Sequence, residues 1–193
     1  MSTAWLGADP GGLGAFGVAL LHEDGAIETA CLSCAQEALD WLEVHPAAVG
    51  IDAPMWWSRG RSGDRLADQW LRRTYSIHSG TVQAANSLRE AAIVQAAVFA
   101  EGLRKRYPAL PITEAHPKAL LQALMSSEQK FFNLYQINDA NLAQHERDAI
   151  ISAVAAREGF SGRWPRDLVL DRLPEEQDPE SYWLAPMHCF WPE

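Results

Sequence analysis

The chain has 193 residues, of which 48% are hydrophobic and 21% charged, and its formal net charge is −9. This length and composition exclude a disordered chain, a collagen and a coiled coil, and they fit a single domain with its own core. No apolar run reaches the roughly 18 residues of a membrane span, and the N-terminal sequence lacks the features of a signal peptide. The three cysteines cannot form a disulfide framework. For these reasons we expect a cytoplasmic protein.

The first quarter of the chain predicts an antiparallel three-stranded meander. Residues 3–9 form an apolar run, and the runs at 16–21 and 26–32 flank a Glu-Asp-Gly turn that is typical of a hairpin. The apolar spacing over residues 35–43 is helical. A further short strand is predicted at residues 48–52.

The second half of the chain alternates helices with one more strand. Helical spacing recurs several times, and a brief apolar run is stopped by a His-Pro pair. The predicted elements are helices over residues 64–73 and 118–125, a helix with the stripe Leu88, Ala92, Ala96, Phe99 and Leu103, a strand over 112–115, a helix over 141–158 closed by Gly159, and a strand at 182–185.

This order of elements predicts the fold class. Three consecutive antiparallel strands followed by alternating helices and strands favour an α/β protein with a mixed five-stranded sheet, antiparallel on one side, parallel on the other and flanked by helices. We expect residues 1–193 to form one domain, with a core at about residues 4–159 and a C-terminal extension at 160–193.

Acidic residues stand where three predicted strands end. Asp9 closes the first strand, Asp52 the fourth and Glu114 the fifth. The carboxyl ends of parallel strands meet at one edge of a sheet, where ligands bind. Asp148 lies on the last predicted helix, on the same face as His145. Carboxylates that crowd a cleft require a compensating cation, and oxygen ligands favour Mg²⁺ or Mn²⁺; solvated turn residues are the alternative for any single acid.

Several short motifs resemble one group of proteins. The run GADPGGLGAFGVAL is similar to the first hairpin of ribonuclease H-like nucleases, especially RuvC-type resolvases, and HERDAIISAVA resembles their last helix. Together with IDAPMWW, GDRLADQWLR and TEAHPKAL, these runs resemble the predicted-nuclease family called domain of unknown function 429 over about residues 4–159. The resemblance implies the ribonuclease H-like fold and metal-dependent cleavage of nucleic acid.

Carried onto this sequence, the resemblance implies Asp9 as the central metal ligand, Asp52 and Glu114 as its neighbours, and Asp148 as the ligand on the helix. These four residues are the predicted catalytic and metal-binding residues, with Mg²⁺ or Mn²⁺ as cofactor. Ribonuclease H also places a Glu on its first helix. No Glu on the first predicted helix of this chain matches it, so the number of metals stays open.

A basic segment offers a surface for nucleic acid, the expected substrate. Five arginines lie between residues 59 and 73, and Arg61 and Arg65, together with Trp56, are suited to gripping a backbone and stacking a base. Ion pairs with nearby acids are the alternative. His116 is suited to substrate binding, to general-base chemistry or to a place beside the metal, with a core or capping histidine as the alternative.

The pattern therefore predicts a metal-dependent nuclease or phosphodiesterase that acts on DNA or RNA, away from membranes. Two other functions fit the same residues. One is a catalytically inactive binding domain of the same fold that forms a homodimer. The other is an actin-like relative that handles nucleotides, in which Gly11, Gly12 and Gly14 cradle phosphates.

Overall fold

The computed structural model describes residues 3–58, 63–84, 91–124, 127–137, 142–172, 176 and 186–193. Its main sheet contains β1 (Ala4–Asp9), β2 (Phe16–His22), β3 (Ile27–Leu32), β4 (Val49–Ile51) and β5 (Ile112–Glu114). The strand order is β3-β2-β1-β4-β5. The pairs β1–β2 and β2–β3 are antiparallel, whereas β1–β4 and β4–β5 are parallel. The mixed five-stranded sheet predicted from the sequence is thus confirmed.

Helices flank this sheet. In the described residues they are α1 (Ala35–Trp41), α2 (Leu66–Tyr75), α3 (Ala91–Arg106), α4 (Pro117–Ala123), α5 (Glu128–Leu134) and α6 (Gln144–Phe160). A second, two-stranded sheet pairs β6 (Arg166–Asp167) with β7 (Phe190–Trp191), and a 3₁₀ turn covers Leu168–Leu170.

The position of α6 depends on three glycines of the sheet. Gly7 on β1, Gly17 on β2 and Gly50 on β4 face this helix, and a β-carbon at any of them would overlap its backbone. Gly7 and Gly50 are also direct neighbours in the parallel pairing. The helix therefore lies unusually close to the strands. The α6 residues concerned are Ala149, His145 and Ser152, respectively.

The end of α6 differs from its prediction. The sequence predicts that Gly159 caps the helix, but the helix runs to Phe160 and Ser161 is its C-terminal cap. Gly159 lies inside the helix, and the absence of a β-carbon there leaves room for the Phe190 ring, which a β-carbon would overlap. The left-handed conformation falls on Gly162 instead, at φ 75°.

Other differences concern short or irregular elements. The helix α5 was not predicted, because its adjacent Phe131 and Phe132 do not give a repeating helical stripe, although both rings are buried. The strands β6 and β7 have two residues each and leave no periodic signal. The strand predicted at residues 182–185 lies outside the described residues.

The C-terminal residues complete the edge of the main sheet. His188 pairs with Thr113 of β5 in a parallel bridge, and the N–H of Glu114 donates to the His188 carbonyl at 2.7 Å. The indole N–H of Trp191 donates to the Tyr75 hydroxyl at 2.8 Å. These contacts bring residues 186–193 against β5 and α2.

Replacing Gly7 with alanine should destabilise the fold, because the added methyl group overlaps the backbone of α6. Overpacking of this kind costs about 1–3 kcal/mol, and more where the neighbour is backbone. In urea unfolding, Gly7→Ala should show a clearly lower midpoint than the parent chain. Gly12→Ala is the control, since a methyl group there meets open space. Equal midpoints for the two variants would show that the close approach of α6 does not constrain the fold.

Candidate metal centre

Two carboxylates leave adjacent strands side by side. Asp9 is the last residue of β1, and Asp52 directly follows β4. The N–H of Asp52 donates to the Ala8 carbonyl at 2.9 Å, so the parallel ladder continues to this residue. Since side chains alternate along a strand, Asp9 and Asp52 lie on the face that α6 covers, two residues beyond Gly7 and Gly50.

The helix α6 supplies two more side chains to this edge. Asp148 is buried, with 4% of its surface exposed. His145 lies one turn earlier on the same helix face, and its Nδ1 atom is 2.6 Å from Oδ2 of Asp9. The close packing of α6 on the glycines therefore brings helix side chains to the ends of β1 and β4.

Burial raises the pKa values of these three acids, and repulsion from neighbouring carboxylates adds to the shift for Asp52 and Asp148. Burial raises the pKa of Asp148 to about 6, and the Asp9 carboxylate adds to the shift. Burial also raises the pKa of Asp52 well above its usual range, with further contributions from Asp9 and Asp148. The pKa of Asp9 is raised by burial, although His145 opposes this. In the described residues, the only ion pair that any of the three makes is that of Asp9 with His145. Within the described part of the chain, this acidic cluster has no arginine partner.

The cluster opens into a cleft. A cavity of about 190 Å³ is lined by Asp9, Asp52 and Lys118, among other residues. A smaller cavity of about 30 Å³ adjoins it and shares Asp52, His116 and Lys118. The positive charge of Lys118 lowers the pKa of Asp9, Asp52 and Asp148, but burial outweighs it for each. The other residues that line the larger cavity are Pro10, Ala53, Pro54, Thr81, Gln83, Ala92 and His116.

Glu114 does not join the other three acids. Its backbone aligns with Ile51 rather than with Asp52, so its side chain points to the opposite face of the sheet. There Arg65 donates two hydrogen bonds to it, at 2.7 and 2.9 Å, and the N–H of Met55 donates a third at 2.7 Å. Burial alone would raise the pKa of Glu114, but Arg65 and His116 lower it to about 2. Because both oxygens are occupied, Glu114 stays outside the ligand set proposed below.

The predicted nucleic-acid contacts Arg65 and Trp56 need correction. Both side chains are fully buried, and the Arg65 guanidinium lies 3.9 Å from the centre of the Trp56 ring. Arg65 also pairs with Asp68 at 2.7 Å, so the ion-pair alternative is the right one for this arginine. Neither residue can contact a substrate from the interior. Arg61 lies outside the described residues.

His116 is the one predicted substrate-binding residue that the structure describes at the cleft. It lines both cavities with only 6% of its surface exposed. Sequence reasoning missed Lys118 and His145 as parts of the site. The signal for His145 was its spacing of three residues from Asp148 on α6, whereas Lys118 left no signal beyond its position after the His-Pro pair.

A second group of candidate ligands lies on the other face. Among the described residues, Glu114, His116 and Cys189 form the only set of three acidic, histidine or cysteine side chains whose ligand atoms lie within 4.8 Å of one another. The other three acids are therefore more widely spaced than this. Arg65 already places a positive charge on Glu114, and burial raises the pKa of the Cys189 thiol well above its usual value. A metal ion is unfavourable beside that guanidinium, and the thiol stays protonated.

The fold and the site define an α/β protein with a carboxylate-lined cleft at one edge of a mixed sheet. Residues 7–173 match the family described as "Protein of unknown function (DUF429)", and the chain belongs to that family. The matched region contains the whole cluster of Asp9, Asp52, His145 and Asp148. No curated protein and no solved structure matches the chain. In the described residues, no helix has the length and apolar character needed to cross a membrane.

The raised pKa of Asp148 gives a pH dependence with a defined sign. Between its ordinary pKa of 3.8 and about 6, the folded state binds more protons than the unfolded state, so the free energy of unfolding falls as pH rises. Asp148→Asn lacks this titration. With chelator present, the variant should gain stability relative to the parent chain from pH 4 to pH 8, by roughly 1–3 kcal/mol.

Thermal unfolding of both chains across this pH range measures the effect. Asp40→Asn is the control, because it makes the same substitution at an exposed carboxylate on α1. If the difference in stability between Asp148→Asn and the parent chain does not change with pH, the pKa of Asp148 is not raised in the folded protein.

Removing Arg65 should destabilise the protein strongly. Arg65→Ala leaves Asp68 and Glu114 as buried carboxylates without their partner, and breaking a buried pair from one side costs about 3–5 kcal/mol. Arg73→Ala, at an exposed position on α2, should change stability by less than about 0.5 kcal/mol. Urea unfolding of the two variants separates a buried ionic role for Arg65 from a surface role, for which both variants would unfold alike.

Proposed function

We propose that this chain is a divalent-metal-dependent hydrolase of phosphodiester bonds, and that Asp9, Asp52 and Asp148 hold the metal. The observation that carries this proposal is the convergence of three acids with raised pKa values and no arginine partner in the described residues. Such a cluster disfavours its own ionised form, and a cation relieves the repulsion.

The donor set fits a hard divalent ion. Carboxylate oxygens are the ligands that Mg²⁺ and Mn²⁺ prefer. Nδ1 of His145 lies 2.6 Å from Oδ2 of Asp9, so His145 is suited to orienting this carboxylate rather than to binding the ion itself. When bound, the ion acts as a Lewis acid that activates water and stabilises the leaving oxygen of a phosphodiester. Because burial raises the pKa values of the three acids and a bound cation favours their ionised form, metal binding is expected to release protons.

The chain's own residues supply the remaining parts of the site. Lys118 is exposed and lines the same cleft as Asp9 and Asp52, and its ammonium is suited to pairing with a phosphate oxygen of the substrate. Thr81 and Gln83 line the same cavity and offer a hydroxyl and an amide to neighbouring sugar or phosphate oxygens. The cleft thus combines acids for a cation with a basic and two neutral groups for an ester of phosphoric acid.

We propose nucleic acid as the substrate, on the strength of this chemistry and of the resemblance to ribonuclease H-like nucleases. A net charge of −9 opposes the approach of a polyanion. Arg65 and Arg72 do not offset it, since Arg65 is buried and Arg72 pairs with Asp64 at 2.6 Å. The bound cation and Lys118 must therefore provide much of the local attraction, and weak binding in the absence of metal follows.

Cleavage assays test the activity. Labelled single-stranded DNA, double-stranded DNA and RNA should be cut in the presence of Mg²⁺ or Mn²⁺, and not in the presence of chelator. Asp9→Asn and Asp148→Asn should reduce cleavage by at least about 10²-fold, because each removes a charge that holds the ion. Asp40→Asn should cut like the parent chain.

Metal binding is measured separately from cleavage. Mn²⁺ at about 100 times its dissociation constant should stabilise the protein by about 2.7 kcal/mol, and Asp9→Asn should lose most of the rise in Tm. The proposal would be overturned if neither Mg²⁺ nor Mn²⁺ raised the Tm of the parent chain. A metal response without cleavage of any nucleic acid would favour the inactive binding domain of the same fold.

A further inference from the structure

We propose that His116 is a catalytic residue that accepts the proton of the attacking water, and that Glu114 and Arg65 are positioning residues that orient it. This inference rests on the proposed function, because the water is the nucleophile of phosphodiester hydrolysis. It adds a proton acceptor to a site whose acids are engaged by the cation.

The fold places His116 between a buried ionic network and the cleft. The residue lies two positions after the end of β5 and precedes the first residue of α4. Its Nε2 atom is 2.7 Å from Oε1 of Glu114. His116 also lines both cavities, as do Asp52 and Lys118. One side of the imidazole thus faces a fixed carboxylate, and the residue as a whole borders the space where a substrate would lie.

The network determines which ring nitrogen carries the proton. Arg65 and the Met55 N–H donate three hydrogen bonds to Glu114, which keeps this carboxylate ionised. An ionised carboxylate can only accept, so Nε2 of His116 must be the donor. In the neutral ring, Nδ1 then holds the free lone pair. No described residue hydrogen-bonds to Nδ1, which leaves it available to a water in the cleft.

The charges around His116 favour transfer of a proton to it. The buried network contains one positive charge, on Arg65, and two negative charges, on Asp68 and Glu114. Its net negative charge stabilises the imidazolium that forms when Nδ1 accepts a proton, as the carboxylate behind the histidine does in a Ser-His-Asp triad. Other groups near the ring are the Cys189 thiol, the Asp52 carboxylate and the Lys118 ammonium.

The proposed step balances in atoms and charge. The water oxygen forms a bond to phosphorus while one of its protons passes to Nδ1 of His116. The bond from phosphorus to the leaving oxygen breaks, and that oxygen takes a proton from solvent. His116 then returns its proton to solvent, so the residue is restored after each turnover.

Kinetics of His116→Ala test the proposal. General-base catalysis is worth about 10²–10⁴-fold, so kcat should fall by that factor while KM and the Mn²⁺-dependent rise in Tm stay close to those of the parent chain. Added imidazole should partly restore the rate of His116→Ala, because it replaces the missing proton acceptor, which it could not do if His116 were only structural. His45→Ala, at an exposed position, should change none of these.

Two further measurements keep the test decisive. His116→Asn retains a donor toward Glu114, and it should fold like the parent chain and still lose the same activity. In the parent chain, ¹⁵N spectra of the imidazole side chains should show neutral His116 protonated at Nε2 and bare at Nδ1. The opposite tautomer would overturn the inference whether or not the protein cleaves.

The outcomes also separate this inference from the proposed function. A parent chain that cleaves, with His116→Ala equally active, would overturn the role of His116 and leave the metal site standing. A parent chain that neither binds Mn²⁺ nor cleaves would overturn the proposed function. The catalytic role of His116 falls with it, whatever the tautomer.

Discussion

The contact between α6 and the glycines of the sheet is the constraint on which the candidate site depends. Gly7, Gly17 and Gly50 let the helix backbone lie directly on the strands, because no β-carbon fits at these positions. The helix backbone itself fills the space that larger side chains would occupy elsewhere. The first turns of the helix then reach the carboxyl ends of β1 and β4. Asp148 and His145 meet Asp9 there for a geometric reason, and not because folding gains from placing charges together.

The buried acids on the two faces of the sheet differ in whether they have a positively charged partner. On one face, Glu114 and Asp68 share the Arg65 guanidinium, and the whole group is closed from solvent. On the other face, the acids of the cleft have no such partner in the described residues, and the Asp9 carboxylate adds to the raised pKa values of Asp52 and Asp148. The first arrangement is complete without a ligand. The second is suited to a cation, and His116 lies where the two meet.

Much of the fold follows from the sequence, because strand order depends on connections that the sequence displays. A hairpin-rich start and alternating elements afterwards define a mixed sheet, and the acids at strand ends indicate where Asp9 and Asp52 lie. The face of Glu114 could not be predicted, since a one-residue difference in register reverses the direction of a side chain. Nor could the burial of Arg65, which depends on contacts with residues up to 49 positions away.

Anomalous scattering from a crystal grown with Mn²⁺ tests the central claim most directly, because it locates the ion without reference to activity. The account predicts a peak at the cleft, within coordination distance of oxygens from Asp9, Asp52 and Asp148. It also predicts that the hydrogen bonds from Arg65 to Glu114 remain unchanged. An anomalous peak at Glu114, His116 and Cys189 would contradict the proposed metal site. So would the absence of a peak in the cleft when the crystallised protein is active in solution.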